Sequence, residues 1–241
     1  MEDLKQAPEG GFLSRDNSLW VSLLALLVGV AISSAMSAVM IQAKSSSASI
    51  LRLPAPEQKG KMSLEEALAR RRSVRQFTRE PLTEREQSQL LWAAQGITHP
   101  EGLRTAPSAG ALYPLEIYLA TASGLYRYEP RPHQLIRLSD RDLRAAICRA
   151  ALDQEAITQA PAVFVIAAVY ERTSRKYGTV RTPRYVHMEV GHAAQNLLLE
   201  AVAFGLGGVP VGAFETETLQ KALDLPADRH PLYLVPVGHP R

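Results

Sequence analysis

Three stretches of this chain place residues where they could hold a phosphate and a flat ring. The first is Arg70-Arg71-Arg72-Ser73-Val74-Arg75. Four guanidinium groups so close together repel one another unless solvent or an anion compensates them, and the interleaved Ser73 offers a hydroxyl to a phosphate oxygen. The second is Arg104-Thr105-Ala106-Pro107-Ser108-Ala109-Gly110-Ala111-Leu112-Tyr113-Pro114-Leu115-Glu116. Loops usually carry polar residues, so one built from Pro107, Ser108, Ala109 and Gly110 suits a backbone pressed against something flat, a ring or a neighbouring subunit. The third is Gly205-Leu206-Gly207-Gly208-Val209-Pro210-Val211-Gly212-Ala213-Phe214, a second segment of close approach. Lys176-Tyr177, in a polar stretch before a long helical pattern, could move protons beside such a site, or could be two surface residues.

Other chemistries find less support. Glu189-x-x-His192 puts a carboxylate and an imidazole on one helical face, but di-iron bundles need two such motifs and further carboxylates, so no metal is expected. There is no Gly-x-Ser-x-Gly elbow for a hydrolase. Gly205-x-Gly207-Gly208 precedes its apolar strand rather than following one, which argues against a dinucleotide turn. The net charge is only +3 and the arginines are dispersed, so nucleic acid is not an expected partner. The lone Cys148 excludes an intrachain disulfide and reads as a buried helical thiol.

Several elements must position these residues. Ser63-x-x-Glu66 and Thr83-x-x-Glu86 are capping-box spacings that start two helices. Residues 115–122 read as a strand and residues 124–128 with 134–138 as a hairpin. A helix capped by Asp140 runs to about Ala151. Residues 161–169 are apolar on both alternating sets, which predicts a central strand buried on both faces. Residues 170–183 read as loop, 184–205 as the longest helix of the globular part, 215–223 as a helix, and 231–237 as a last strand. Mixed strands and helices with hairpins predict an α+β domain, a mostly antiparallel central sheet flanked by helices.

Ahead of that domain, residues 19–41 carry no charge. At 1.5 Å per residue they span roughly 34 Å, enough for a hydrocarbon core of about 30 Å. The expectation is an N-terminal transmembrane helix preceded by a flank, residues 1–18. It is read as an uncleaved anchor because the flank mixes Lys5 and Arg15 with four acidic residues, although small residues at 35–38 and 41–43 leave a cleaved signal open. Lysines and arginines are more frequent after the segment, which favours a cytoplasmic globular part. Residues 42–61, rich in Ser, Pro and Ala, read as a flexible linker. Residues 62–241 form the globular domain.

Taken in order, these motifs resemble those of the nitroreductase family of FMN-dependent oxidoreductases, and most closely the SagB/ThcOx-type dehydrogenase branch. The resemblance rests on 71–75, on 106–116, on Arg184-Tyr185 with Glu189-x-Gly191-His192-x-x-Gln195-Asn196, and on 205–214, and it covers about residues 62–239. It implies a nitroreductase-like fold and a homodimer with FMN at the interface. It also implies hydride transfer through flavin N5 and a small-molecule or peptide heterocycle as substrate. Arg71, Ser73 and Arg75, with Arg72 beside them, would hold the phosphate, and Arg241 is the one basic candidate after Gly238. Pro107, Ser108, Ala109 and Gly110 would reach the flavin of the partner subunit, and Val211, Gly212 and Ala213 would bring backbone to its N5 edge. Lys176-Tyr177 matches a pair tied to proton transfer in azoline-oxidising members. The alternative is a membrane-tethered scaffold that binds flavin or a peptide without catalysis.

Overall fold

The computed structural model describes residues 49–241. The expected anchor at 19–41 lies outside the described residues, and among these no helix is long and apolar enough to cross a membrane.

The domain is built on a seven-stranded sheet in the order β1-β4-β3-β2-β5-β7-β6. Its strands are β1 (Ile50–Arg52), β2 (Leu115–Thr121), β3 (Gly124–Glu129), β4 (Gln134–Ser139), β5 (Ala162–Ala168), β6 (Gly207–Gly208) and β7 (His230–Gly238). Every pairing between them is antiparallel. β2 and β5 are buried along their whole length. Their two alternating sets face different cores, which is why 161–169 is apolar throughout. Ile117, Leu119, Phe164 and Ile166 point to one side, where helix α2 (Glu84–Gln95) brings Leu90, Leu91 and Ala94, and helix α5 (Tyr170–Ala203) brings Val190, Ala194 and Leu197. Tyr118, Ala120, Val163 and Val165 point to the other, under α3 (Arg144–Ala150), α4 (Glu155–Gln159) and α6 (Thr216–Ala222).

Helix starts follow the capping chemistry in part. Thr83 and Glu86 form a complete capping box, Thr83 Oγ1 accepting from Glu86 N and Glu86 Oε2 accepting from Thr83 N. Ser63 caps helix α1 (Leu64–Arg70) through Glu66 N alone, since Glu66 pairs with Arg70 instead. Asp140 caps nothing: α3 begins after Leu143, without a side-chain cap. Residues 170–183, expected as loop, are helical. Gly178, at φ 72° and ψ 163°, breaks α5 into two segments, so a glycine and a proline that read as loop signals mark a joint between helices.

The expected linker also needs correcting from residue 49 onward. β1 pairs with β4 through Ile50–Ile136, Leu51–Leu135 and Arg52–Gln134. Glu57 then fastens the chain to α2, its backbone N donating to Gln89 Oε1 at 2.8 Å and its carboxylate accepting from Arg85 Nε and Nη2. A chain starting at Met62 loses the β1 ladder and these bonds. It is expected to melt at least a few degrees below one starting at Ser49; thermal unfolding of the two checks this.

Candidate cofactor site

The phosphate candidates lie on an extended segment fixed on both sides. α1 ends at Arg70, and Arg71 turns to φ −57°, ψ 123°. Ser73 bridges Gly208 in parallel, with Val74 N donating to Gly208 O at 3.1 Å. A β-carbon at Gly207 would lie 2.7 Å from the Val74 side chain, so only glycine lets the segment come this close. Further along, Phe77 bridges Pro240 and Arg241 N donates to Gln76 O at 3.2 Å, which sets the last residue beside Arg75. Ser73 and Arg75 are exposed and Arg71 is partly so, while Val74 packs against the core. Arg72 is held differently in this chain: its guanidinium donates to Ala69 O and Arg71 O at the C-terminus of α1.

Val211 is locked to β7 by reciprocal bonds with Leu234, at 2.8 and 3.0 Å. Gly212 and Ala213 then leave the sheet and are exposed. Ala213 O accepts from Gln154 Nε2, while no hydrogen bond among the described residues uses the Gly212 or Ala213 amide. A β-carbon at Gly212 meets nothing nearer than the Tyr233 ring at 3.7 Å. This glycine is therefore not demanded by packing within the chain, and the open backbone fits the edge of a flat ring. Arg71, Ser73, Arg75, Arg241 and the 207–213 backbone together suit a phosphate-bearing ring cofactor.

The small-residue loop is clamped elsewhere. Thr105 N donates to Gly96 O, and Asn196 Nδ2 donates to Thr105 O. Ser108 Oγ accepts from Tyr113 N at 2.9 Å, and Arg104 lies over the Tyr113 ring at 4.5 Å. Gly110, Ala111 and Tyr113 all have positive φ, a conformation costly for the two that are not glycine. A β-carbon on Gly110 would stand 2.9 Å from Tyr177 Oη and 3.0 Å from Lys176 Nζ. The Lys-Tyr pair, on the last turn of the first α5 segment and not on a loop, thus sits directly over Gly110. Among the described residues no hydrogen bond or bridge joins this group to the 71–77 cradle.

Two buried carboxyls hold this arrangement, and sequence reasoning gave neither a role in it. Glu116 on β2 accepts from Tyr118 Oη at 2.9 Å, pairs with Arg172 at the start of α5, and lies 3.4 Å from Arg229 Nε. Burial opposes its charge, but the Tyr118 hydroxyl and the two arginines outweigh it and hold the carboxyl below the usual range. Arg172 also donates to Tyr113 O, so one guanidinium ties β2, α5 and the end of the loop together. Glu189 is 2 % exposed. Burial pushes its carboxyl up to about 7 against the opposing influence of Ser108, Arg104 and Gln95. Its spacing to His192 drew attention to metals, yet His192 faces solvent while Glu189 faces the core, and no metal-holding cluster occurs among the described residues. Its signal was a lone carboxylate on the apolar face of α5.

The domain is thus a sheet with helices on both faces and an exposed basic segment beside bare backbone, an arrangement that suits a phosphate-bearing cofactor. Residues 68–239 match the Nitroreductase family, and the chain belongs to that family, whose members are in general flavin-dependent oxidoreductases. It is 48% identical over 183 residues to the nitroreductase homologue MJ1384 of Methanocaldococcus jannaschii, covering 73% of this chain and 91% of that one. A nitroreductase-type structure from Ralstonia eutropha superposes with a TM-score of 0.74 at 30% identity, over 80% of this chain and 90% of the other. The NADPH:FMN oxidoreductase of Vibrio harveyi shares the fold, with a TM-score of 0.56 at 23% identity over 73% of this chain and 68% of that one.

The raised carboxyl makes a pH prediction. A folded pKa of about 7 against an ordinary 4.5 means that Glu189 favours folding as the neutral acid. Its contribution is complete below about pH 4.5 and is lost as pH rises through 7, a loss on the order of 1–3 kcal/mol. Glu189→Gln removes that slope, so urea midpoints measured from pH 4 to 8 should flatten in the variant.

Proposed function

We propose that this protein is an FMN-dependent oxidoreductase of the SagB-type dehydrogenase kind, acting as a homodimer on a small-molecule or peptide heterocycle. The observation that carries this reading is that, among the described residues, no hydrogen bond or bridge ties the cradle of Arg71, Ser73, Arg75 and Arg241 to the loop bearing Pro107, Ser108, Ala109 and Gly110 under Lys176 and Tyr177. In this reading the loop of a second copy would cover the flavin held in the first chain's cradle. FMN supplies the two-electron exchange when bound.

The protein's own part is binding, orientation and proton handling. Arg71 and Arg75 neutralise the phosphate, and Ser73 adds a hydroxyl. The exposed backbone at Gly212 and Ala213, carried by Val211 on the edge of β7, would lie against the ring. Tyr177 and Lys176 hold a proton above the loop, where a substrate losing or gaining one would lie. The anchor at 19–41 belongs to this reading on sequence alone, with the domain on the cytoplasmic side; a reporter fused after Arg241 tests the side.

Purified protein should be yellow or take up added FMN, and colourless protein that refuses FMN overturns the reading. Arg75→Ala deletes a charge-assisted contact of roughly 1.5–3 kcal/mol and should weaken FMN at least about tenfold in a fluorescence titration. Tyr177→Phe should leave FMN affinity unchanged and lower the turnover of reduced flavin with an acceptor. Equal turnover in the variant would remove Tyr177 from proton transfer.

A further inference from the structure

A cavity of about 300 Å³ opens between the β3–β4 hairpin, the end of α2 and the start of α5. Gln95, Arg104, Arg127, Tyr128, Arg131 and Arg172 line it. Two carboxylates, Glu116 and Glu129, line it too, but both are already engaged. Glu116 is held by Arg172, Arg229 and Tyr118, and Glu129 accepts from Arg127 and Gln134. Four arginines therefore face two committed glutamates. Arg104 and Arg131 have no carboxylate partner among the described residues: Arg131 donates to Pro100 O, and Arg104 Nη1 donates to Gln95 Oε1 at 2.8 Å.

That last bond fixes the Gln95 amide. Its oxygen must face the guanidinium, so its Nε2 is turned away, in a side chain only 1 % exposed, and finds no acceptor among the described residues. Arg104 Nε is likewise buried without a partner. Both donor atoms are shut off from solvent beside the Glu189 carboxyl, whose charge Gln95 and Arg104 favour, so it is the charge of the lining and not these donors that argues for a ligand. The surplus of positive charge sets the sign of that ligand.

We propose that this cavity binds a small anion bearing a carboxylate or a phosphate, gripped by Arg104 and capped by Arg131. At about 30 Å³ per water-sized group the space admits roughly ten non-hydrogen atoms. Buried Glu189 lies nearby with one oxygen also unpartnered, and a single water could bridge it to Gln95 and Arg104. Such a water would leave the surplus charge unmatched, which makes water the rival occupant. The inference does not depend on the flavin reading.

The test is calorimetric titration of the full-length protein, in excess FMN and at low ionic strength, with inorganic phosphate and separately with succinate. Excess FMN keeps phosphate out of the Arg71–Arg75 cradle. Saturable binding of either probe is expected, and which one binds identifies the anion's chemistry. Arg104→Gln should weaken it at least about tenfold. Arg131→Gln, at an exposed residue whose loss leaves the core intact, should weaken it several-fold and carries the test if Arg104→Gln does not fold. Arg75→Gln should leave it unchanged. Two results overturn the proposal: no saturable heat with either probe, as for a cavity holding only water, or binding that survives Arg104→Gln and Arg131→Gln but is lost in Arg75→Gln, as for an anion in the cofactor cradle.

Discussion

The charge of Glu116 must be paid for inside the protein, and much of the loop side of the site depends on how that is done. A carboxylate on a central strand is stable only if counter-charges and hydrogen bonds surround it. Arg172 comes from the first turn of α5, Arg229 from the approach to β7, and Tyr118 from the same strand two residues on. Because Arg172 also reaches Tyr113 O, the start of α5 cannot move without dragging the end of the small-residue loop. Lys176 and Tyr177 follow Arg172 by about one helical turn, so their place over Gly110 is set by the Glu116–Arg172 pair together with the edge-to-face contact of Tyr177 with Tyr185.

The cradle side rests on a different constraint, backbone proximity. Gly207 allows the 71–77 segment to lie against β6, and the chain's last residues run along its other flank. Ionic fastening on the central strand and steric permission at β6 act on one sheet, and membership of the Nitroreductase family accounts for that sheet. The arginine-lined cavity is described by this chain's own side chains.

The legible parts of the fold were those that local chemistry decides. β5 was readable because a strand buried on both faces has no polar side, and α2 because Thr83 and Glu86 satisfy one another's backbone. The missed parts depend on distant partners. β1 is three exposed residues whose strand character comes from the open edge of β4. Asp140 has a capper's chemistry, but α3 starts beyond its reach. Glu189 matched a metal spacing, and only the burial of one partner and exposure of the other shows that the two never converge.

The break at Gly178 separates two duties along one helix. The segment after it carries Val186, Val190, Ala194 and Leu197 into the core, whereas the segment before it carries Lys176 and Tyr177 over the loop. Gly178 itself is exposed, and a β-carbon there would meet no atom within 4 Å. Residues added or removed at such a joint re-aim the Lys-Tyr segment while leaving the core helix in register. The joint is a grafting point, where the reach of the Lys176–Tyr177 segment can be changed without refolding the domain that bears it.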